Sequence, residues 1–116
     1  MKLKTGVSIA LSVPEMTSAD AIVEGCYASL GVECIATSGD ERASVHHGKP
    51  IAGDTEDPHY CGKARDYRIK NVAPEFRSVL VDMIREQLGP RYVVLWENRD
   101  KDGEHVHVQA GHIAVA

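Results

Sequence analysis

Residues 59–66 read HYCGKARD and place a histidine and an aspartate seven positions apart. Two small residues stand between them: Gly62 allows the backbone to turn, and Ala64 leaves open space beside the polar groups. Farther along the chain, residues 104–109 read EHVHVQ and contribute two more histidines at the spacing of a β-strand. The question is whether these two stretches form one metal site or are ordinary polar segments.

Strand alternation predicts which of these side chains share a face. Side chains two positions apart in a strand point to the same side of the sheet. His105 and His107 therefore share one face, and Asp66 shares a face with Ala64 on its own strand. His59 lies just before this strand, and the turn at Gly62 lets it approach Asp66. Two histidines and a carboxylate, with one position left to water, are typical of a catalytic zinc. The alternative is that His59 and His105 are surface residues and that Asp66 pairs with an arginine.

The composition indicates one ordinary globular domain, residues 1–116. Its hydrophobic fraction is 43% and its charged fraction is 26%. A net charge of -4 without a basic stripe, together with few aromatic residues, argues against nucleic acid as a partner. No apolar stretch is long enough to span a membrane. We expect a monomer.

The cysteines and the N-terminus bear on the cellular compartment. The odd count of three argues against a disulfide scaffold and fits a reducing environment. Cys26 and Cys34 lie among apolar residues and are predicted to be core thiols. The short apolar run near the N-terminus has no cleavage site and makes a poor signal peptide. We therefore expect synthesis in the cytoplasm without a signal peptide.

The order of elements predicts an α+β fold with two main helices and a small mixed or antiparallel sheet. Polar residues 39–58 form a long segment that, within a compact domain, is typical of a functional or mobile loop. An apolar stripe is predicted on the second helix at Phe76, Val79, Leu80, Met83, Ile84 and Leu88. The predicted elements are strands at 7–12, 32–38, 64–69, 92–96 and 105–110, and helices from Thr17 or Ser18 to Leu30 and from Pro74 to residue 88.

Three motifs resemble one known family. HYCGKARD resembles the HxxGxAxD signature of the zinc D-alanyl-D-alanine peptidases and their L-alanyl-D-glutamate endopeptidase relatives, which share a fold with the Hedgehog signalling domain. Residues 92–109, YVVLWE to EHVHVQ, are similar to the closing hairpin of that family. CIATSGDER, residues 34–42, is similar to its first central strand followed by an arginine. The resemblance covers residues 17–109 in the same order.

The resemblance implies a role for each matching residue. His59, Asp66 and His107 would be the zinc ligands. His105 would lie beside the metal as an active-site residue, and Arg42 could hold a substrate carbonyl or carboxylate. Zinc ligation requires neutral histidine, so activity should fall below a pH of about 6.

The resemblance also implies a catalytic glutamate from the hairpin, for which the chain offers two candidates. Glu104 stands three positions before His107, as in some relatives, whereas Glu97 ends the preceding strand, as in others. The strand pleat turns Glu104 away from His107, and a bulge would reverse that orientation. We rank Glu97 first.

The function implied is that of a zinc-dependent peptidase that hydrolyses peptidoglycan stem peptides. The cleaved bond would be D-Ala–D-Ala or L-Ala–D-Glu. A phage-derived lysis enzyme acting on the cell wall would fit a chain of this size. The alternative is a non-catalytic metal-binding or binding module on the same fold, such as a domain of a phage structural protein. Two features favour that alternative: Asp57 replaces a serine that is frequent in the family, and the catalytic glutamate is ambiguous. Cys61, inside the first motif, is a second departure from the family pattern.

Overall fold

A computed structural model describes residues 1–41 and 62–111 of the chain. These residues form a mixed sheet with both helices packed on one face. This arrangement confirms the predicted α+β class and the two main helices. The elements are β1 (Lys2–Leu3), α1 (Pro14–Ser29), β2 (Ile35–Ser38), β3 (Ala64–Arg68), α2 (Pro74–Leu88), β4 (Tyr92–Glu97) and β5 (His105–Ala110).

The five strands lie in the order β1-β2-β3-β5-β4. β1 runs parallel to β2, and every other neighbouring pair is antiparallel, so the sheet is mixed. The closing hairpin therefore inserts β5 between β3 and β4. This order brings the HYCGKARD strand and the EHVHVQ strand side by side.

The predicted strand at 7–12 is wrong, because this segment forms a loop across the end of β2. Its backbone polar groups find partners outside a strand ladder. The Ser8 carbonyl accepts a hydrogen bond from the Asp40 amide at 2.7 Å, and the Leu11 amide donates to Asp40 Oδ2 at 2.6 Å. A Cβ atom at Gly39 would lie 2.0 Å from the Ser8 oxygen, so this crossing requires glycine.

The first helix begins earlier than predicted. Thr17 and Ser18 were the expected caps, but α1 starts at Pro14, with Val13 in an extended conformation before it. Proline suits the first helical position because its φ angle is already helical and its missing N–H would have no partner there. The Val13 carbonyl then accepts hydrogen bonds from the amides of Met16 and Thr17.

The hydrophobic core lies between the helices and one face of the sheet. α1 packs against α2 and β5, and α2 also packs against β4. As predicted, Cys26 and Cys34 are buried free thiols, and burial raises the pKa of Cys34 to about 12. The main buried hydrophobic residues are Met16, Val23, Tyr27, Tyr67, Ile69, Leu80, Val81, Ile84, Val106 and Val108.

The buried stripe of α2 is rotated from the predicted one. Phe76 and Val79 belong to the predicted stripe but are 50% and 46% exposed, whereas Val81, outside that stripe, is 1% exposed. Each residue advances the helix by about 100°. The buried arc therefore runs through Leu80, Val81 and Ile84 and leaves Val79 on the opposite side.

Two valines on this helix provide a matched test of the packing. Val81→Ala should lower the free energy of unfolding by about 1–3 kcal/mol, because it opens a cavity in the core. Val79→Ala should change it by no more than about 0.5 kcal/mol. Urea unfolding of the two variants measures both values. Equal losses would contradict the rotation of the stripe.

Candidate metal centre

The sheet face opposite the helices carries a cluster of titratable side chains. In the antiparallel pairing of β3 with β5, Asp66 lies directly opposite His107. In the pairing of β4 with β5, Glu97 lies directly opposite His105. Directly opposed residues of an antiparallel pair share a face. Strand register alone therefore brings two carboxylates and two imidazoles together.

The distances within this cluster are those of direct contact. His107 Nδ1 lies 2.8 Å from Asp66 Oδ1, and His105 Nε2 lies 2.9 Å from Glu97 Oε1. Longer contacts join the two pairs: His105 Nε2 is 3.7 Å from Asp66 Oδ2, and His107 Nδ1 is 3.9 Å from Glu97 Oε1. Ligand atoms of Asp66, Glu97 and His105 all lie within 4.8 Å of one another. These three residues are close enough to bind one metal ion.

Burial and the nearby carboxylates have opposite effects on the pKa of His107. Burial alone would lower the pKa of its imidazole, but the hydrogen bond with Asp66 and the charges of Asp66 and Glu97 outweigh it. The net effect raises the pKa. The carboxylates thus make this face attractive to positive charge, whether a proton or a metal ion.

The turn between β4 and β5 sets the position of His105. Asn98 and Asp100 have positive φ angles of 53° and 62°, which Asn and Asp tolerate better than most residues. His105 Nδ1 lies 2.6 Å from the carbonyl oxygen of Gly103. A carbonyl only accepts hydrogen bonds, so Nδ1 carries the proton. The other ring nitrogen, Nε2, faces the cluster and lies 2.9 Å from Glu97 Oε1.

Glu104 lies apart from this cluster, on the helix side of the sheet. It is 5% exposed. Its Oε1 accepts a hydrogen bond from Arg77 Nη1 at 3.3 Å, and its Oε2 accepts one from Trp96 Nε1 at 2.7 Å. Of the two candidate glutamates, the structure brings Glu97 to the histidines and holds Glu104 in a separate network.

The remaining predicted site residues lie outside the described ranges. Among them are His59, the first proposed zinc ligand, and Arg42, the proposed substrate-binding arginine. The two departures from the family pattern, Asp57 and Cys61, lie there as well. The described cluster by itself supplies imidazole nitrogen and carboxylate oxygen, a donor set that suits a divalent transition metal.

Two polar features near the cluster were missed by the sequence interpretation. Gln109 Oε1 lies 3.2 Å from His107 Nε2, and strand alternation could have found it, since it stands two positions after His107. Behind β3, Asp20 of α1 accepts hydrogen bonds from Arg65 Nε at 3.0 Å and Nη2 at 2.7 Å, and from the Tyr67 hydroxyl at 2.5 Å. No sequence signal indicated this second network, because its members lie far apart in the chain.

No protein-family model matches the chain, and comparisons with curated proteins and with solved structures also yielded no match. Neither helix of the described residues is long and apolar enough to cross a membrane.

Proposed function

We propose that the chain is a zinc-dependent peptidase that hydrolyses peptidoglycan stem peptides, on the fold shared by D-alanyl-D-alanine peptidases and Hedgehog domains. The observation that supports it is the cluster of Asp66, Glu97, His105 and His107 on one face of adjacent strands. The proposal draws its substrate class from the resemblance of the motifs.

Asp66 and His107 would hold the zinc, together with His59 from the first motif. Their donor types fit this metal, because zinc accepts imidazole nitrogen and carboxylate oxygen. When bound, zinc polarises a carbonyl group and lowers the pKa of water towards neutrality.

Glu97 is the residue of the cluster best suited to move a proton. Its side chain is 43% exposed, so it is more accessible to solvent and substrate than Asp66 at 11%. Its Oε1 would take a proton from the attacking water and deliver it to the leaving amine nitrogen. The contact with His105 Nε2 holds that oxygen towards Asp66 and His107.

The test is digestion of purified muropeptides, with products identified by mass spectrometry. Release of D-alanine would identify the activity as that of a carboxypeptidase. Cleavage between L-Ala and D-Glu would identify it as that of an endopeptidase. Activity should disappear with a chelator and return when zinc is added. Bound zinc without cleavage of any muropeptide would favour the non-catalytic metal-binding module instead.

A further inference from the structure

The imidazole of His107 makes a different contact at each ring nitrogen. Nδ1 faces the carboxylates, at 2.8 Å from Asp66 Oδ1 and 3.9 Å from Glu97 Oε1. Nε2 faces the side-chain oxygen of Gln109 at 3.2 Å. The ring therefore has one side towards the candidate metal centre and one side towards an amide.

The position of Gln109 is defined by the sheet. It follows His107 by two residues on β5 and lies directly opposite Ala64 of β3 and Val93 of β4. Ala64 and Val93 have apolar side chains, so Gln109 is the only polar residue of these three. Gln109 is only 5% exposed, so its amide has little access to water.

An amide oxygen accepts hydrogen bonds and never donates them. The contact with Gln109 Oε1 therefore places a proton on His107 Nε2. Nδ1 also faces an acceptor, Asp66 Oδ1 at 2.8 Å, so the Nδ1 proton is the one that a metal ion at the cluster would displace, which leaves the Nδ1 lone pair to bind the metal. Histidine ligands of metals commonly donate their second N–H to such a partner, which fixes the tautomer and the ring orientation.

We propose that Gln109 is a positioning residue for the metal centre: it holds the Nε2 proton of His107 so that Nδ1 is the nitrogen that binds the metal. This inference rests on the proposed function, specifically on zinc binding by His107. It gives a role to Gln109, the last residue of EHVHVQ, for which the resemblance to the peptidase family implies none.

The first test uses zinc-loaded wild-type protein labelled with ¹⁵N at histidine. Long-range ¹H–¹⁵N correlation spectra report which ring nitrogen carries a proton and which binds metal. We expect His107 to have a protonated Nε2 and a metal-bound Nδ1. A metal-bound Nε2 would overturn the inference.

The second test compares zinc affinities measured by competition with a chromophoric chelator. Gln109→Leu has a similar shape but removes the acceptor, and it should weaken zinc binding about 10–100-fold. Gln109→Glu retains an acceptor oxygen and should bind zinc nearly as tightly as the wild type. Gln87→Leu, at an exposed position of α2, is the control and should leave the affinity unchanged.

The outcomes separate the inference from the proposed function. A wild type that binds no zinc would overturn the proposed function. If the wild type binds zinc and Gln109→Leu binds it with the same affinity, only the role of Gln109 is overturned. Thermal melts followed by circular dichroism show whether each variant folds. If Gln109→Leu does not fold, Gln109→Glu and the wild-type spectra still decide the question.

Discussion

Glu97→Gln is expected to lower peptide-bond turnover by about 10²–10⁴-fold, while the protein still binds zinc. The amide keeps the size and shape of the side chain but cannot accept a proton from water. The structure places Glu97 Oε1 2.9 Å from His105 Nε2 and 3.9 Å from His107 Nδ1, inside the cluster. Muropeptide hydrolysis and zinc content, measured on the same preparation, test this expectation.

Glu104→Gln is the matched control for that experiment. Glu104 lies on the helix face, bonded to Arg77 and Trp96, so its loss should weaken the fold rather than the chemistry. We expect the variant to have a lower melting temperature. Its turnover, measured well below that temperature, should be nearly unchanged. The reverse pattern, with turnover lost in Glu104→Gln and retained in Glu97→Gln, would assign the base to Glu104 and contradict the proposed site.

Asp20→Ala is expected to lower the free energy of unfolding by about 3–5 kcal/mol. The carboxylate of Asp20 accepts two hydrogen bonds from Arg65 and one from the Tyr67 hydroxyl. Arg65 is fully buried, so removing its partner leaves an uncompensated charge inside the protein. Urea unfolding measures the loss.

Two further variants make this prediction specific. Asp82→Ala removes an exposed carboxylate of α2 and should change stability by no more than about 0.5 kcal/mol. The double variant Asp20→Ala with Arg65→Met should be more stable than Asp20→Ala alone, because it also removes the buried, unpaired charge of Arg65. A double variant that is no more stable than the single one would show that lost packing, not charge, dominates.

The elements with strong local signals were predictable from sequence. α2 begins at Pro74 and is followed by Gly89, as its apolar repeat and these two residues indicated. The closing hairpin also formed where the alternation and the turn residues placed it. Alternation of His105 and His107 with valines correctly assigned the histidines to the face opposite the helices.

The features that depend on tertiary contacts were not predictable. Residues 7–12 alternate like a strand, yet their backbone groups pair with Asp40 and with local turns. The exposed side of α2 depends on how the helix rotates against the sheet, which its own sequence does not specify. The strand pleat ranks Glu97 above Glu104, but the pairing of Glu97 with His105 depends on the register of β4 against β5, which the sequence does not specify.

The most direct measurement of the central claim is zinc content by mass spectrometry of the purified wild type, Asp66→Asn and Asp82→Asn. Asp66 faces the two histidines of the cluster, whereas Asp82 is exposed on α2. The proposal predicts one zinc per chain in the wild type and in Asp82→Asn, and its loss in Asp66→Asn. Absence of zinc from the wild type after refolding with the metal, or equal zinc in all three proteins, would contradict it.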